Sequence, residues 1–321
     1  MTAKTILVTE PIHEAGMEVL HASGHRIVAL PAGASRAEML EAAASASALV
    51  VRLASIDAEM LSRSNTLEVV SRHGVGCDNI DVGHMTARGL PVAITADANA
   101  ASVSEHALAL LLAGAKGLPA ADAAMRRGDW AWRNGLPCRE LSGAAALVVG
   151  VGRVGSRVAA LLGALGMQVR GCDPYLDALP LGVSRADDLD AALPEADAVM
   201  IHVPLKDETR KMFDAARLAR LKPGALVVNC ARGGIVDEPA MRDALASGQV
   251  GFYGTDVFDD EPPGAEDPLF PPLASMMTPH AAASTPAAMR KMAVQSAQNA
   301  VDALEGRLAP RCIFNRKELG L

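Results

Sequence analysis

The stretch VVGVGRVGS, residues 148–156, decides the fold. Its first two residues end the apolar run AALVV (145–149) and its last residues open a helical pattern, so Gly150, Gly152 and Gly155 stand between a predicted strand and a predicted helix. In this context the first glycine permits a tight turn, the second lets backbone approach a pyrophosphate, and the third lets the helix lie close to the strand. The spacing therefore predicts a dinucleotide-binding βα unit whose phosphates meet the N–H groups of a helix start.

An acidic residue in the next strand supports the same prediction. The run QVRGCD ends at Asp173, eighteen residues after Gly155. A carboxylate at this place accepts hydrogen bonds from a ribose 2′-OH and repels a 2′-phosphate, which favours NAD(H) over NADP(H). Arg153 and Arg170 lie close by in sequence and keep NADP(H) open as the alternative. A βα turn with no ligand is the other interpretation of the three glycines.

Strand-like runs alternate with helical segments along the whole chain, which predicts an α/β protein with parallel sheets. The segment 102–128 is interpreted as one helix, capped by Ser102 or Ser104, that links two domains. The helical segment after residue 286 is expected to pack on the first domain. The predicted strands are 5–10, 25–30, 48–53, 67–73 and 90–95 in a first series, then 145–150, 168–173, 198–203, 225–230, 252–258 and 275–280 in a second series of six.

Composition excludes several classes of function. The net charge is −7 and no basic block occurs, so neither nucleic acid nor an anionic membrane is expected as a partner. No apolar run is long enough to span a bilayer, and the start of the sequence lacks signal-peptide features, so we expect a cytoplasmic protein. The five cysteines include no CxxC pair, and we expect no metal site.

Three reactive side chains lie at or just after the ends of three predicted strands of the second series. Arg232 lies in NCARGGIVDE, Glu261 in FDDEPP and His280 in TPHAAAST. Ligands of open α/β sheets bind at the carboxyl ends of the strands, so we expect these residues at one rim. A guanidinium grips a carboxylate, an imidazole exchanges the proton of a hydroxyl, and a carboxylate orients the imidazole. The set suits oxidation of an alcohol next to a carboxylate, with the hydride passing to a nicotinamide. Taken singly, each residue has a structural interpretation as a loop cation, loop acid or strand-end histidine.

Seven motifs occur in order along the chain: RHGVGCDNIDV (72–82), SEHALALLLA (104–113), VGVGRVGSRVA (149–159), HVPL (202–205), NCARGGIVDE (229–238), DVFDDEPP (256–263) and TPHAAAST (278–285). Together they resemble the D-isomer-specific 2-hydroxyacid dehydrogenase family. The resemblance implies two doubly wound parallel-sheet domains, with a Rossmann NAD-binding domain (101–286) inserted in a smaller flavodoxin-like substrate domain (1–100 and 287–321). It also implies a homodimer built through the cofactor domain.

The resemblance assigns roles position by position. The catalytic residues would be Arg232, Glu261 and His280, and the substrate carboxylate would meet the loop of Gly74, Val75 and Gly76. Asn99 would begin the crossing into the cofactor domain, and Val103 lies beside Ser104 where the family's helix touches the cofactor. The cofactor-binding residues would be Gly150, Gly152, Arg153, Val154, Gly155, Asp173, His202, Val203, Pro204, Cys230, Ala231, Asp256 and Ser104.

The substrate within this class stays open at the level of sequence. Hydroxypyruvate, glyoxylate and phosphohydroxypyruvate or 3-phosphoglycerate are the candidates. Arg52, or Arg72 with His73, is expected to meet a second anionic group on the substrate, unless Arg72 and His73 only brace their loop. An NAD(H)-sensing, corepressor-like protein without turnover is the alternative from another class. Formate dehydrogenase is disfavoured because that reaction needs no acid partner for the histidine.

Overall fold

The computed structural model describes residues 3–135, 138–264, 270 and 274–321. The chain forms two compact units in it. Unit 1 comprises Met1–Asn99 and Ser284–Leu321, and unit 2 comprises Ala100–Ala283. The second unit is therefore inserted between two segments of the first.

Unit 1 is built on a parallel sheet. Its five described strands lie in the order β2-β1-β3-β4-β5. Strand β3, for example, is buried along its whole length, as expected of an apolar run covered on both faces. The strands are β1 (Thr5–Val8), β2 (Arg26–Ala29), β3 (Ala48–Val51), β4 (Val69–Arg72) and β5 (Val92–Ile94), and the helices between them are α1 (Glu14–Ala22), α2 (Arg36–Ala43), α3 (Ala58–Ser62) and α4 (Val82–Ala87).

Unit 2 contains the larger sheet, also parallel in every described pairing. Seven described strands follow the order β12-β11-β10-β9-β6-β7-β8. The strands are β6 (Ala145–Val149), β7 (Gln168–Cys172), β8 (Ser184–Arg185), β9 (Ala198–Ile201), β10 (Ala225–Asn229), β11 (Val250–Thr255) and β12 (Ser275–Met277). The helices are α5 (Ala100–Ala115), α6 (Leu118–Arg126), α7 (Arg153–Ala164), α8 (Leu189–Ala192), α9 (Ala215–Leu218) and α10 (Glu238–Ala246).

The last helix, α11 (Pro286–Leu304), belongs to unit 1. Thr285 caps it by accepting a hydrogen bond from Ala288 N at 3.2 Å. It lies so close to α1 that a Cβ on Gly16 would stand 2.7 Å from the carbonyl oxygen of Ala293. The side chain of Asn299 donates to the Ile94 carbonyl at 3.0 Å, which ties the helix to the end of β5. The C-terminal segment thus covers one face of the first sheet.

The predicted helix over 102–128 is wrong in two respects. It is two helices, α5 and α6, separated at Gly117, whose φ of 58° is left-handed. Helix α5 starts at Ala100, so neither Ser102 nor Ser104 caps it, and Ser104 Oγ instead donates to the Ala101 carbonyl at 2.8 Å. Among the described helices none alone is long and apolar enough to cross a membrane. Only α5 and α6 taken together, at a bend of 61°, reach that length and composition.

The predicted fold class is confirmed, while the strand details differ. The second sheet gains the two-residue strand β8, for which the sequence gives no apolar run. Strand β12 ends at Met277 rather than at residue 280, and His280 adopts a positive φ of 50° in the following loop. The other predicted strands are longer than the observed ones. The residues just beyond each observed strand continue its apolar or polar pattern, but they lie outside the residue pairs of the sheet.

Candidate active site

The order of the second sheet reverses direction at one place. From β6 the chain proceeds outward through β7 and β8, and then returns to the other side of β6 with β9. The glycine loop after β6 and the segment after β9 touch there, because a Cβ on Gly150 would stand 2.7 Å from the His202 carbonyl oxygen. This is the switch point at which ligands of open α/β sheets bind.

The three glycines of the loop have different environments. Gly150 has a φ of 85°, and a Cβ on Gly155 would stand 1.9 Å from the Gly150 carbonyl oxygen, so both positions require glycine for the fold itself. A Cβ on Gly152 would meet no atom within 4 Å. Gly152 is the N-cap of α7, where the first N–H groups of the helix point outward without intrahelical acceptors. The space in front of Gly152 therefore fits a phosphate, as a dinucleotide requires.

Asp173 is held beside this loop. Its carboxylate accepts a hydrogen bond from Val151 N at 2.9 Å and another from Tyr175 N at 3.0 Å. The first contact fixes the acid to the glycine loop, and the second turns the chain after β7. The remaining acceptor capacity of the carboxylate fits the ribose hydroxyls of a nucleotide.

The other predicted cofactor residues follow neighbouring strands. His202, Val203 and Pro204 come after β9, and Cys230 and Ala231 come after β10. The His202 Nε2 is buried without a hydrogen-bond partner among the described residues, and burial lowers the pKa of this imidazole to about 4. Burial likewise raises the pKa of the Cys230 thiol. Both side chains are thus neutral, and neither adds charge near the phosphates.

The three predicted catalytic residues lie on loops after β10, β11 and β12, which are adjacent strands. His280 Nδ1 lies 2.7 Å from Glu261 Oε2, so the pair is formed in the structure. The other carboxylate oxygen, Oε1, accepts from Phe258 N at 3.1 Å. The side chains of His280 and Glu261 are 47% and 36% exposed, so the imidazole is partly open to solvent while Nδ1 faces the carboxylate.

The electrostatics of the trio favour an ionised carboxylate. Partial burial raises the pKa of Glu261, but the His280 hydrogen bond and charge, the Phe258 amide and the Arg232 charge together bring it below its ordinary value. Arg232 Nη1 donates to the Ala231 carbonyl at 2.6 Å, which orients the guanidinium. The geometry thus presents one fixed cation, one anion and an imidazole that can carry a proton.

Asp256 anchors the loop that carries His280. This carboxylate is 1% exposed and accepts from Thr278 Oγ1 at 2.6 Å and from the N–H groups of Ala281 and Ala282 at 2.8 Å each. The Thr278 hydroxyl also contacts His106 Nε2 at 2.9 Å. Asp256 therefore holds the Thr278 hydroxyl before the histidine and the backbone N–H groups of Ala281 and Ala282 after it. The predicted contact of Asp256 with the cofactor stays a prediction, as does that of the buried Ser104.

In unit 1, Arg72 braces the loop of residues 73–76. Its Nε donates to the Gly76 carbonyl at 2.9 Å, and its Nη1 donates to the His73 carbonyl. His73 is 3% exposed, and burial, helped by the charges of Arg52 and Arg72, lowers its pKa to about 4. His73 is therefore neutral at pH 7 and offers no charge to an anion. These contacts favour the bracing interpretation of Arg72 and His73.

The same loop presents donors for an anion. Neither Val75 N nor Gly76 N donates a hydrogen bond within the described part of the chain. Gly74 has a φ of 145° and lies against the Arg72 guanidinium, so the turn before these amides is fixed. Arg52, just after β3, is partly buried, and no described acid pairs with its guanidinium. Among the predicted substrate residues of unit 1, Arg72 and His73 thus stabilise the loop, whereas Arg52 and the N–H groups of Val75 and Gly76 are available to an anion.

Comparison with known protein families assigns the larger unit. Residues 108–282, more than half of the chain, match the model of the D-isomer specific 2-hydroxyacid dehydrogenase, NAD binding domain. The chain belongs to the D-isomer-specific 2-hydroxyacid dehydrogenase family. The predicted family and NAD-binding fold are therefore confirmed, and NAD is the cofactor of this domain.

Curated relatives and solved structures agree with this assignment. D-3-phosphoglycerate dehydrogenase of Methanocaldococcus jannaschii is 36% identical over 96% of this chain and 59% of its own length. The Mycobacterium bovis enzyme of the same name is 41% identical over 88% of this chain and 53% of its own length. The chain thus spans little more than half of these relatives. A glyoxylate reductase structure from Paecilomyes thermophila has a TM-score of 0.88 at 25% identity, covering 99% of this chain and 100% of that one.

Several positioning residues escape sequence reasoning. Asp259 accepts from Gly234 N at 2.5 Å and its own N–H donates to Glu238 Oε1 at 2.9 Å, which joins the loop of Arg232 to the loop of Glu261. Glu10 and Asn79 hold the loop after β3 by hydrogen bonds to its backbone. In the sequence these residues show only as acidic or amide side chains directly after a predicted strand or turn. Many other loop residues have the same pattern, so it does not identify them.

Proposed function

We propose that the chain is an NAD-dependent dehydrogenase that interconverts a small D-2-hydroxy acid and its 2-keto acid. The observation that carries the proposal is the 2.7 Å contact between His280 Nδ1 and Glu261 Oε2 at the rim of an NAD-binding sheet. The substrate hydroxyl must lose its proton as the carbon that bears it loses a hydride, and an oriented imidazole can accept that proton.

Each residue has a defined task in this proposal. With Nδ1 directed at Glu261, His280 Nε2 takes the proton of the substrate hydroxyl in oxidation and returns it in reduction. Arg232 binds the substrate carboxylate and stabilises charge on the neighbouring oxygen. Within unit 1, the N–H groups of Val75 and Gly76 are the donors offered to a carboxylate of the substrate. Bound NAD would supply the hydride acceptor. Asp173 favours NAD over NADP. Arg185 adds a cation near that position, since its Nη1 lies 3.5 Å from the Asp173 carbonyl oxygen.

The two units divide this work. Unit 1, predicted as 1–100 and 287–321, would bind substrate, and unit 2, predicted as 101–286, would bind the cofactor. The family match over 108–282 supports the second assignment. The available amides of Val75 and Gly76 support the first.

The substrate candidates are hydroxypyruvate, glyoxylate and phosphohydroxypyruvate or 3-phosphoglycerate. Arg52 is the group we assign to a second anionic group on the substrate, because Arg72 is engaged with its own loop and His73 is neutral. The Arg52→Ala change is expected to raise KM for phosphohydroxypyruvate by at least tenfold, about the effect of one lost charged hydrogen bond, and KM for glyoxylate little. Equal effects on both substrates would remove Arg52 from the substrate site.

A cytoplasmic homodimer is the proposed working form. Leu118, Met125 and Trp130 are each more than half exposed, at 53%, 52% and 62%. These side chains all belong to α6 or to the short 3₁₀ helix Trp130–Asn134, so a second copy has an apolar surface to cover in unit 2. Sedimentation equilibrium of the parent and of a Met125→Lys, Trp130→Glu double variant tests this assembly.

The test of function is oxidation of NADH, followed by absorbance, against glyoxylate, hydroxypyruvate, pyruvate, oxaloacetate, phosphohydroxypyruvate and sulfopyruvate, with NADPH in parallel. Turnover of one keto acid that is lost in His280→Ala supports the proposal and names the substrate. NADH binding without turnover of any of them refutes it in favour of an NAD(H)-sensing protein. Formate is included with NAD⁺, since its oxidation would point to the formate dehydrogenase reaction.

A further inference from the structure

The loop after β3, residues 52–54, is held from both sides by side chains that come from other parts of unit 1. Glu10, which follows β1, accepts hydrogen bonds from Arg52 N at 3.1 Å, Leu53 N at 2.8 Å and Ala54 N at 3.0 Å, all through Oε2. Its second oxygen also accepts from Leu53 N, at 3.0 Å. One carboxylate thus satisfies three consecutive backbone donors, which fixes the path of the chain at Arg52.

The opposite edge of the loop is held by an amide. Asn79 Nδ2 donates to the Ala54 carbonyl at 2.8 Å. The Asn79 carbonyl oxygen in turn accepts from Ile56 N at 2.8 Å, so the two segments run together. Asn79 lies three residues after Gly76. The loop of Arg52 is therefore tied to the segment that carries the available amides of Val75 and Gly76.

The strand register places Arg52 beside that segment. Val51 pairs with Arg72 in the ladder between β3 and β4, so Arg52 stands across from His73, which directly precedes Gly74. Neighbouring strands are about 5 Å apart, and the Arg52 charge helps to lower the pKa of His73, so its guanidinium lies near the start of that loop. A small acid whose carboxylate lies on Val75 and Gly76 would carry its far end toward this side chain.

We propose that Glu10 and Asn79 are positioning residues that aim Arg52 at an anionic group on C3 of the substrate, and so set the preference for phosphorylated over unphosphorylated 2-keto acids. The inference rests on the proposed function. Neither residue touches the substrate. Each acts through the backbone of residues 52–54, Glu10 on its N–H groups and Asn79 on a carbonyl.

The two residues permit a test of positioning against charge. Glu10→Gln removes a negative charge near Arg52, which by electrostatics alone would strengthen the binding of a dianion. It also replaces one acceptor oxygen by an NH₂ group that faces the N–H of Leu53, which disturbs the loop. Positioning and charge therefore predict opposite signs for the change in KM. Asn79→Ala removes the other hold with no change of charge.

The experiment measures kcat/KM for phosphohydroxypyruvate and for hydroxypyruvate, the same keto acid without the phosphate, in the parent, Glu10→Gln, Asn79→Ala and Arg52→Ala. Glu14→Gln is the matched control, because Glu14 is an exposed acid in the first turn of α1. We expect the ratio of the two kcat/KM values to fall about tenfold or more in Arg52→Ala, and by at least threefold in Glu10→Gln and Asn79→Ala, with no change in the control.

The outcomes separate the two levels of the argument. A protein that reduces neither keto acid fails the proposed function itself. Activity with a ratio that falls only in Arg52→Ala overturns the positioning role of Glu10 and Asn79, and a ratio that rises in Glu10→Gln shows that charge dominates there and also overturns it. Thermal unfolding of each variant accompanies the kinetics. If one of the Glu10→Gln and Asn79→Ala variants does not fold, the other tests the proposal, since Glu10 and Asn79 bind the loop through separate hydrogen bonds.

Discussion

The Glu261→Gln substitution tests the acid–base pair directly. The substituted amide would keep the size of the side chain and an oxygen for Phe258 N, but lose the negative charge that faces His280 Nδ1 at 2.7 Å. A hydrogen bond to a charged group contributes about 1.5–3 kcal/mol, and the partial exposure of this pair places it in the lower half, about 1.5–2 kcal/mol. The whole of this contribution is expected in the transition state, where the imidazole gains its proton.

The expected result is a fall in kcat of about 10–30-fold, since each 1.36 kcal/mol is a factor of ten in rate. KM for NADH is expected to stay within about twofold, because a group that acts only in the transition state does not alter ground-state binding. The assay is steady-state NADH oxidation at saturating keto acid near pH 7. The carboxylate of Glu261 is ionised there, because its pKa lies below its ordinary value.

Asp260→Asn is the matched control. Asp260 is the exposed neighbour of Glu261, so this variant removes one negative charge from the same loop without touching the imidazole. A kcat of Glu261→Gln within twofold of the parent would refute the role of the pair. An equal loss in Asp260→Asn would show that the local potential, and not the oriented contact, is responsible.

Two further predictions concern the glycine loop and the buried histidine. Gly152→Ala is expected to leave the thermal midpoint unchanged, because its Cβ meets no atom within 4 Å, but to raise the Kd for NADH about tenfold in a fluorescence titration. Gly155→Ala is the contrast, with a stability loss of about 2–3 kcal/mol from overpacking, and equal behaviour of the two variants would contradict this division. For His73, burial lowers the pKa to about 4 from its ordinary 6.5, so the unfolded chain takes the proton first as pH falls. The contribution of His73 to the free energy of unfolding is therefore highest above pH 6.5 and decreases by up to about 3 kcal/mol as the pH falls toward 4. The thermal midpoint should differ less between pH 7 and pH 4.5 in His73→Gln than in the parent. An equal difference would contradict the role of His73 in this pH dependence.

The features that sequence predicted well are those with a local physical cause. The glycine loop was readable because Gly150 and Gly155 are required by the turn and the helix contact, whatever the rest of the chain does. The rim of Arg232, Glu261 and His280 followed from a general property of parallel sheets, in which strand ends share an edge. The structure brings Glu261 and His280 into contact as that argument expects.

The features that sequence missed depend on contacts between distant residues. Nothing near Glu10 in the chain indicates that its carboxylate binds the backbone of residues 52–54, more than forty positions away. The break at Gly117 was hidden because glycine occurs inside apolar helices as well as between them, and only the left-handed φ decides. The sequence predicts that His73 is available to an anion, since the tertiary packing that buries it leaves no local pattern in the chain.

The anchoring of the His280 loop by Asp256 has a consequence for engineering the substrate range. Asp256 binds Ala281 through its backbone N–H, so the hold does not depend on the side chain at that position. We therefore expect substitutions at position 281 to keep the hydrogen bond that anchors this loop. For the proposed dehydrogenase, a library restricted to position 281 is expected to vary the residue beside the imidazole while Asp256 keeps its hydrogen bonds, whereas substitution of Asp256 removes all three of them.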